Sequence, residues 1–250
     1  MAAILTGKER AMNVRSALEA SIGGVWHGVS FFEEMPECPQ GVYRAQGIRF
    51  CEALVVARVH EVLIDPSAMS CPGAKFAFGC IGHFTEEMIN KLSEKGFSQE
   101  YIERVIEEAP RLGKPPAAVG LNSKNPPDIL MAALQPDQAM RLTQFYEKAQ
   151  KKALSSSFSS VMSICANVAV KALQTKDATL SFGCEDARAF GGVSRDRLVT
   201  GIPYWMAQSW VGVSGRSDNQ EDSDQGRPPW GLASRTWMDP RTREHRERVR

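Results

Sequence analysis

A mixed α/β fold (α+β), in a single compact domain over residues 1–210, is what this chain predicts. Three observations carry it. Apolar residues at helical spacing alternate with short β-rich or wholly apolar runs. Most helical stretches bring their own start and stop signals. Two strands run directly into a cysteine and then a helix start, at Cys71 and at Cys184, which suggests a domain of two related halves. Composition permits such a core: 43% of the 250 residues are hydrophobic and 24% are charged, as in ordinary globular domains.

The elements follow in order. Residues 8–20 have one apolar side built from Met12, Val14 and Leu18, and Gly23-Gly24 ends that helix. Residues 25–32 are β-rich and form a strand. The loop 33–41 holds Pro36, Cys38 and Pro39, and a helix is expected over 48–60, carrying Cys51. The strand Val62-Leu63-Ile64 then enters the turn at Cys71. Pro72 suits a first helical position, where its missing N–H would be unpaired anyway, so Cys71 becomes the N-cap. Gly73 allows a ligand or another backbone to come close. Cys80 lies nine residues beyond Cys71, on the opposite face of a continuous helix, and is expected to pack in the core.

Two charged helices follow at 85–95 and 98–109, capped by Thr85 and Ser98. Residues 114–120 lead through Pro115-Pro116 into a short strand. A turn at 125–128 precedes the apolar run Ile129 to Leu134, read as a buried strand. Pro136 and Asp137 open a helix over 137–154, with Met140, Phe145 and Ala149 towards one face. A serine-rich stretch leads to a helix over 161–173, where Cys165 sits among Ser163, Ala166 and Ala169. Residues 178–182 form a strand ending at Gly183-Cys184-Glu185-Asp186. Residues 199–206 return to the core. Residues 211–250 have no lysine or cysteine and are rich in arginine, so they are expected to be a disordered tail.

Several function classes are excluded or disfavoured. A net charge of +1 argues against nucleic acid as a partner. Serines within 153–170 argue against a membrane span, and the N-terminus lacks the apolar run of a signal peptide. The chain is therefore expected to be cytoplasmic. There is no P-loop, HExxH, GxSxG or strand-borne GxGxxG motif. Six cysteines in a reducing compartment do not suggest a disulfide framework, and none form a CxxC pair. Four histidines scattered at 27, 60, 83 and 245 do not suggest a histidine metal site; His27 is expected to be structural or exposed.

A set of landmarks, taken in order, resembles a known family: Cys51-Glu-Ala-Leu, Ser70-Cys71-Pro-Gly-Ala, Pro127-Asp-Ile-Leu, Pro136-Asp-Gln-Ala-Met140, Ile164-Cys165-Ala, Gly183-Cys184 and Gly201-Ile-Pro203. The chain is similar over residues 40–206 to domain of unknown function 169, an uncharacterised prokaryotic family. The resemblance implies that Cys51, Cys71, Cys165 and Cys184 are the family's cysteines, with Cys38 and Cys80 extra. It supplies no activity.

These residues lead to one expectation and two alternatives. The expectation is a thiolate site for an iron–sulfur cluster or another thiophilic metal, with Cys51, Cys71, Cys165 and Cys184 as ligands and Gly73 beside them. The first alternative is a metal-free thiol redox enzyme with Cys71 as nucleophile, its pKa lowered by the helix start, Cys184 as resolving thiol and Arg188 holding an anionic substrate. The second is a small-molecule binding domain whose cysteines are structural. An unknown small molecule or redox partner is the expected counterpart.

Overall fold

The computed structural model describes residues 7–37, 40–124 and 126–214, with side chains described between residues 14 and 211. Cys38 and residues 215–250 of the expected tail lie outside the described residues.

Seven strands form one sheet: β1 (Trp26–Phe32), β2 (Val42–Ala45), β3 (Glu61–Ile64), β4 (Ala118–Leu121), β5 (Ile129–Leu134), β6 (Thr179–Ser181) and β7 (Leu198–Pro203), in the order β2-β3-β4-β1-β5-β7-β6. The helices are α1 (Gly7–Ser21), α2 (Phe50–Val56), α3 (Pro72–Ala77), α4 (Glu86–Glu94), α5 (Gln99–Glu108), α6 (Pro136–Gln150), α7 (Lys171–Thr175), α8 (Glu185–Ala189) and α9 (Tyr204–Ser214). A short 3₁₀ turn covers Pro66–Ala68, and a π-helix covers Cys165–Val170. This is the α+β class that the sequence predicts.

The sheet is mixed. β2 and β3 pair in parallel, Val42 against Glu61 through Ala45 against Ile64, with α2 in the crossover. The remaining pairs are antiparallel. The longest ladder joins β5 to β7, from Ile129 opposite Pro203 to Leu134 opposite Leu198.

Both faces of the sheet are covered, which explains why β5 is apolar throughout. Side chains alternate across a strand: Ile129 and Met131 enter one core, and Leu130, Ala132 and Leu134 enter the other. The first core also takes Phe50, Cys51, Phe76, Phe78, Cys165, Val168 and Ala187, from α2, α3, the π-helix and α8. The second takes Val14, Leu18, Leu142, Tyr146, Met206 and Trp210, from α1, α6 and α9. The cysteines of the candidate site all lie on the first face.

Five local expectations are corrected. The helix expected over 48–60 is only Phe50–Val56; it ends in a turn at Ala57–Val59, and Val59 is 78% exposed. β2 was not anticipated, since Val-Tyr-Arg-Ala is half exposed and gives no clean alternation. α6 ends at Gln150 because Lys151 turns left-handed, with φ of 57°. Met140 points outward at 59% exposure, and Ala139, Leu142 and Tyr146 form the buried stripe instead. Residues 211–214, assigned to the tail, continue helix α9.

Candidate functional site

Four cysteines from four elements lie within electrostatic reach of one another. Cys71 is the N-cap of α3, with extended backbone (φ −87°, ψ 114°) and Pro72 at the first helical position. Cys184 is the N-cap of α8 in a similar conformation (φ −82°, ψ 173°). Cys51 is the second residue of α2, whose start is tied down by the Arg49 N–H donating to Glu52 Oε2 at 2.6 Å. Cys165 opens the π-helix.

That π-helix is made by tertiary demands. Met162 sits at φ 51°, a conformation uncommon for a residue with a side chain. The Asn167 N–H then reaches Met162 O at 3.3 Å, and the Ala169 N–H reaches Ile164 O at 2.9 Å, each spanning five residues. Thr179 Oγ1 donates to Val168 O, and the Ser163 and Ser181 hydroxyls bond to each other. These contacts fasten the widened turn to β6.

Two glycines let the elements close in. A Cβ at Gly73 would stand 2.9 Å from Met162 Cγ, so Gly73 admits the Met162 side chain rather than a ligand. A Cβ at Gly191 would stand 2.7 Å from both Cys51 Cβ and Ala187 O. Only glycine allows the chain beyond α8 to lie against Cys51.

In all six pairs among the four thiols, charge on one sulfur is felt at the other. Burial is the largest influence on each. It pushes Cys51 up to about 12 and raises Cys165 well above the ordinary thiol value, with the neighbouring sulfurs adding to both. Cys71 and Cys184 are only partly buried and are raised as well. The Ala74 and Gly73 amides favour a Cys71 thiolate, but burial and the Asp186 carboxylate outweigh them. The expected lowering of the Cys71 pKa at the helix start is thus not met in the free thiol. Its Sγ donates weakly to Asp186 Oδ2 at 4.0 Å. Arg49 Nε lies 3.4 Å from the same oxygen, and its guanidinium stacks 3.9 Å from the Phe190 ring centre.

The other candidates lie elsewhere. Cys80 packs against the core and is raised by burial and Asp65, apart from the four. Arg188 bonds to the carbonyls of Phe182 and Ser194, so it ties loops together. His27 is buried in β1; burial, then Arg58 and Arg15, lower it to about 4, which makes it a neutral structural histidine at pH 7. Among the described residues, no group of three or more His, Cys, Asp or Glu side chains is arranged to hold a metal ion. No helix among them is long and apolar enough to cross a membrane.

One residue escaped the sequence reading. Asn122 follows β4 at φ 57°. Its Oδ1 accepts from Arg15 Nη1 at 2.7 Å and from the Gly28 N–H at 2.8 Å. Its Nδ2 donates to Ala57 O at 2.8 Å and faces His27 Nδ1 at 3.4 Å. An asparagine directly after a strand is the available signal, because asparagine tolerates the left-handed region.

Compared with known proteins, the chain matches over residues 28–212 the model of domain of unknown function 169, described as uncharacterised ArCR. The chain belongs to this family. No curated protein and no solved structure matches it. The family match spans all four gathered cysteines, β1 from Gly28 onward, and every later strand. Family membership carries no activity with it.

Proposed function

We propose that this family member uses Cys51, Cys71, Cys165 and Cys184 to hold an iron–sulfur cluster or another thiophilic metal. The single observation that carries the reading is that four thiols, distant in sequence, lie on one face of the sheet within electrostatic reach of one another. The donor chemistry suits it: four cysteine sulfurs are the usual set for such clusters and for soft metals. A bound cation would supply the positive charge that makes thiolates favourable where burial alone opposes them. Arg49 balances Asp186 at the rim, so the site's own negative charge is partly offset before any thiolate forms.

The test is purification without oxygen, followed by iron, acid-labile sulfide, zinc and copper analysis and a visible spectrum. The expected result is bound metal, lost in Cys165→Ser and in Cys184→Ser and retained in Cys80→Ser. A colourless, metal-free protein whose thiols all titrate on denaturation defeats the proposal.

A metal-free redox enzyme using Cys71 is the competing reading. Its support is that Cys71 and Cys184 are the two less buried members of the set. Alkylation rate against pH separates the two readings: a thiol reacting with an apparent pKa below the ordinary ~8.5 in metal-free protein would favour it.

A further inference from the structure

We propose that a cavity between α2, the central strands and the 191–197 loop binds a small carboxylate with a short apolar body. It is lined by His27, Arg58 and Arg197, with Val55, Met131 and Val199 among its apolar walls. No acidic side chain lines it among the described residues.

Two charged side chains face this cavity, Arg58 with no acidic neighbour among the lining residues and Arg197 with only Asp196 next to it in the chain. Among the described residues, neither the Arg58 nor the Arg197 guanidinium has a hydrogen-bond or ion-pair partner. Asp196, beside Arg197, is held by Ser194 Oγ. Gly192, at φ 62°, leaves space under Arg58: a Cβ there would lie 3.9 Å from Arg58 Nη2 and 3.4 Å from Val55 Cγ2. The third polar group is a donor too. Asn122 Nδ2 can only donate, so His27 Nδ1 accepts and the ring proton is assigned to Nε2. Two guanidiniums and an imidazole N–H therefore offer donors that no hydrogen bond within the described residues uses, with Asp196 the one carboxylate whose charge Arg197 feels. Guanidiniums match a carboxylate in shape and charge. Of the two cavity arginines, Arg58 also helps to keep His27 neutral, and a bound anion would counter it.

Size selects the ligand. The cavity measures about 50 Å³, room for about three to five water molecules. That fits a carboxylate with two or three carbons attached. The apolar walls favour a hydrocarbon body over a second charged group.

This site does not depend on the thiols holding metal, and the experiment leaves them aside. Butyrate is titrated into the full-length protein by calorimetry, with butyramide as the uncharged control. In parallel, the ring ¹⁵N signals of His27 and His60 are followed. Wild-type protein is expected to bind butyrate, with butyramide and the Arg58→Gln/Arg197→Gln variant each roughly tenfold weaker or more, as loss of charge-assisted hydrogen bonds implies. The His27 signals should move and those of His60, which stacks on Tyr43, should not. Absence of butyrate binding, equal binding by the double variant, or His27 signals that stay fixed at saturation would each overturn the proposal.

Discussion

Replacing Asn122 with alanine should cost the protein about 3 kcal/mol, out of the ~5–15 typical of a domain. The figure is worked from three losses. The Gly28 N–H and the Ala57 carbonyl each lose their side-chain partner. A buried polar group left unmade costs about 1–3 kcal/mol, and half-burial of this site places each loss near the lower bound because water can enter. The left-handed backbone adds about 1 kcal/mol for a residue such as alanine. The Arg15 contact is partly exposed and contributes little. Asn122→Gly keeps the hydrogen-bond losses and removes the strain, so it should be about 1 kcal/mol milder. The assay is urea denaturation followed by circular dichroism, with the slope required to stay constant. An alanine variant within about 0.5 kcal/mol of wild type, the range of an ordinary surface substitution, would refute the reasoning.

Three further outcomes follow from the same structure. His27 is held down to about 4 in the folded state, so the unfolded chain takes up a proton first as pH falls. Stability should be full above about 6.5 and decline towards pH 4 by up to about 3 kcal/mol, and His27→Gln should flatten that limb in denaturation at several pH values. The buried thiols act on the opposite side: their folded pKa values are raised, so in metal-free protein stability should fall as pH rises through about 9, and anaerobic denaturation at pH 8 and 10 measures it. Gly191→Ala would force a methyl into Cys51 Cβ and Ala187 O; it should lose about 1–3 kcal/mol by overpacking and lower the metal content, both read on one preparation.

The parts of the site that were legible from sequence are those fixed by neighbours along the chain. Cys71 is placed by a strand, a turn and Pro72, and Cys184 by a strand and an acidic first turn, so both N-caps are found where local signals put them. Cys165 is different. Its helical location is readable, but its π geometry depends on contacts with β6 that no local pattern contains. The place of Cys51 beside α8 rests on Gly191, 140 residues away, and only the family resemblance grouped it with the others. Met140 was misplaced because the rotation of α6 is set by what Leu142 and Tyr146 meet in the second core. The parallel edge strand β2 was missed because its pairing is with one side of β3 only.

The widened turn between Met162 and Lys171 makes this part of the chain sensitive to residue count as well as residue type. In an ordinary helix each residue advances the direction of a side chain by ~100°. Deleting one residue here would let the turn relax to that geometry and swing the thiol at its start towards a different neighbour, even with every cysteine retained. Length conservation across this short span is thus as much a requirement for gathering the sulfurs as the sulfurs themselves.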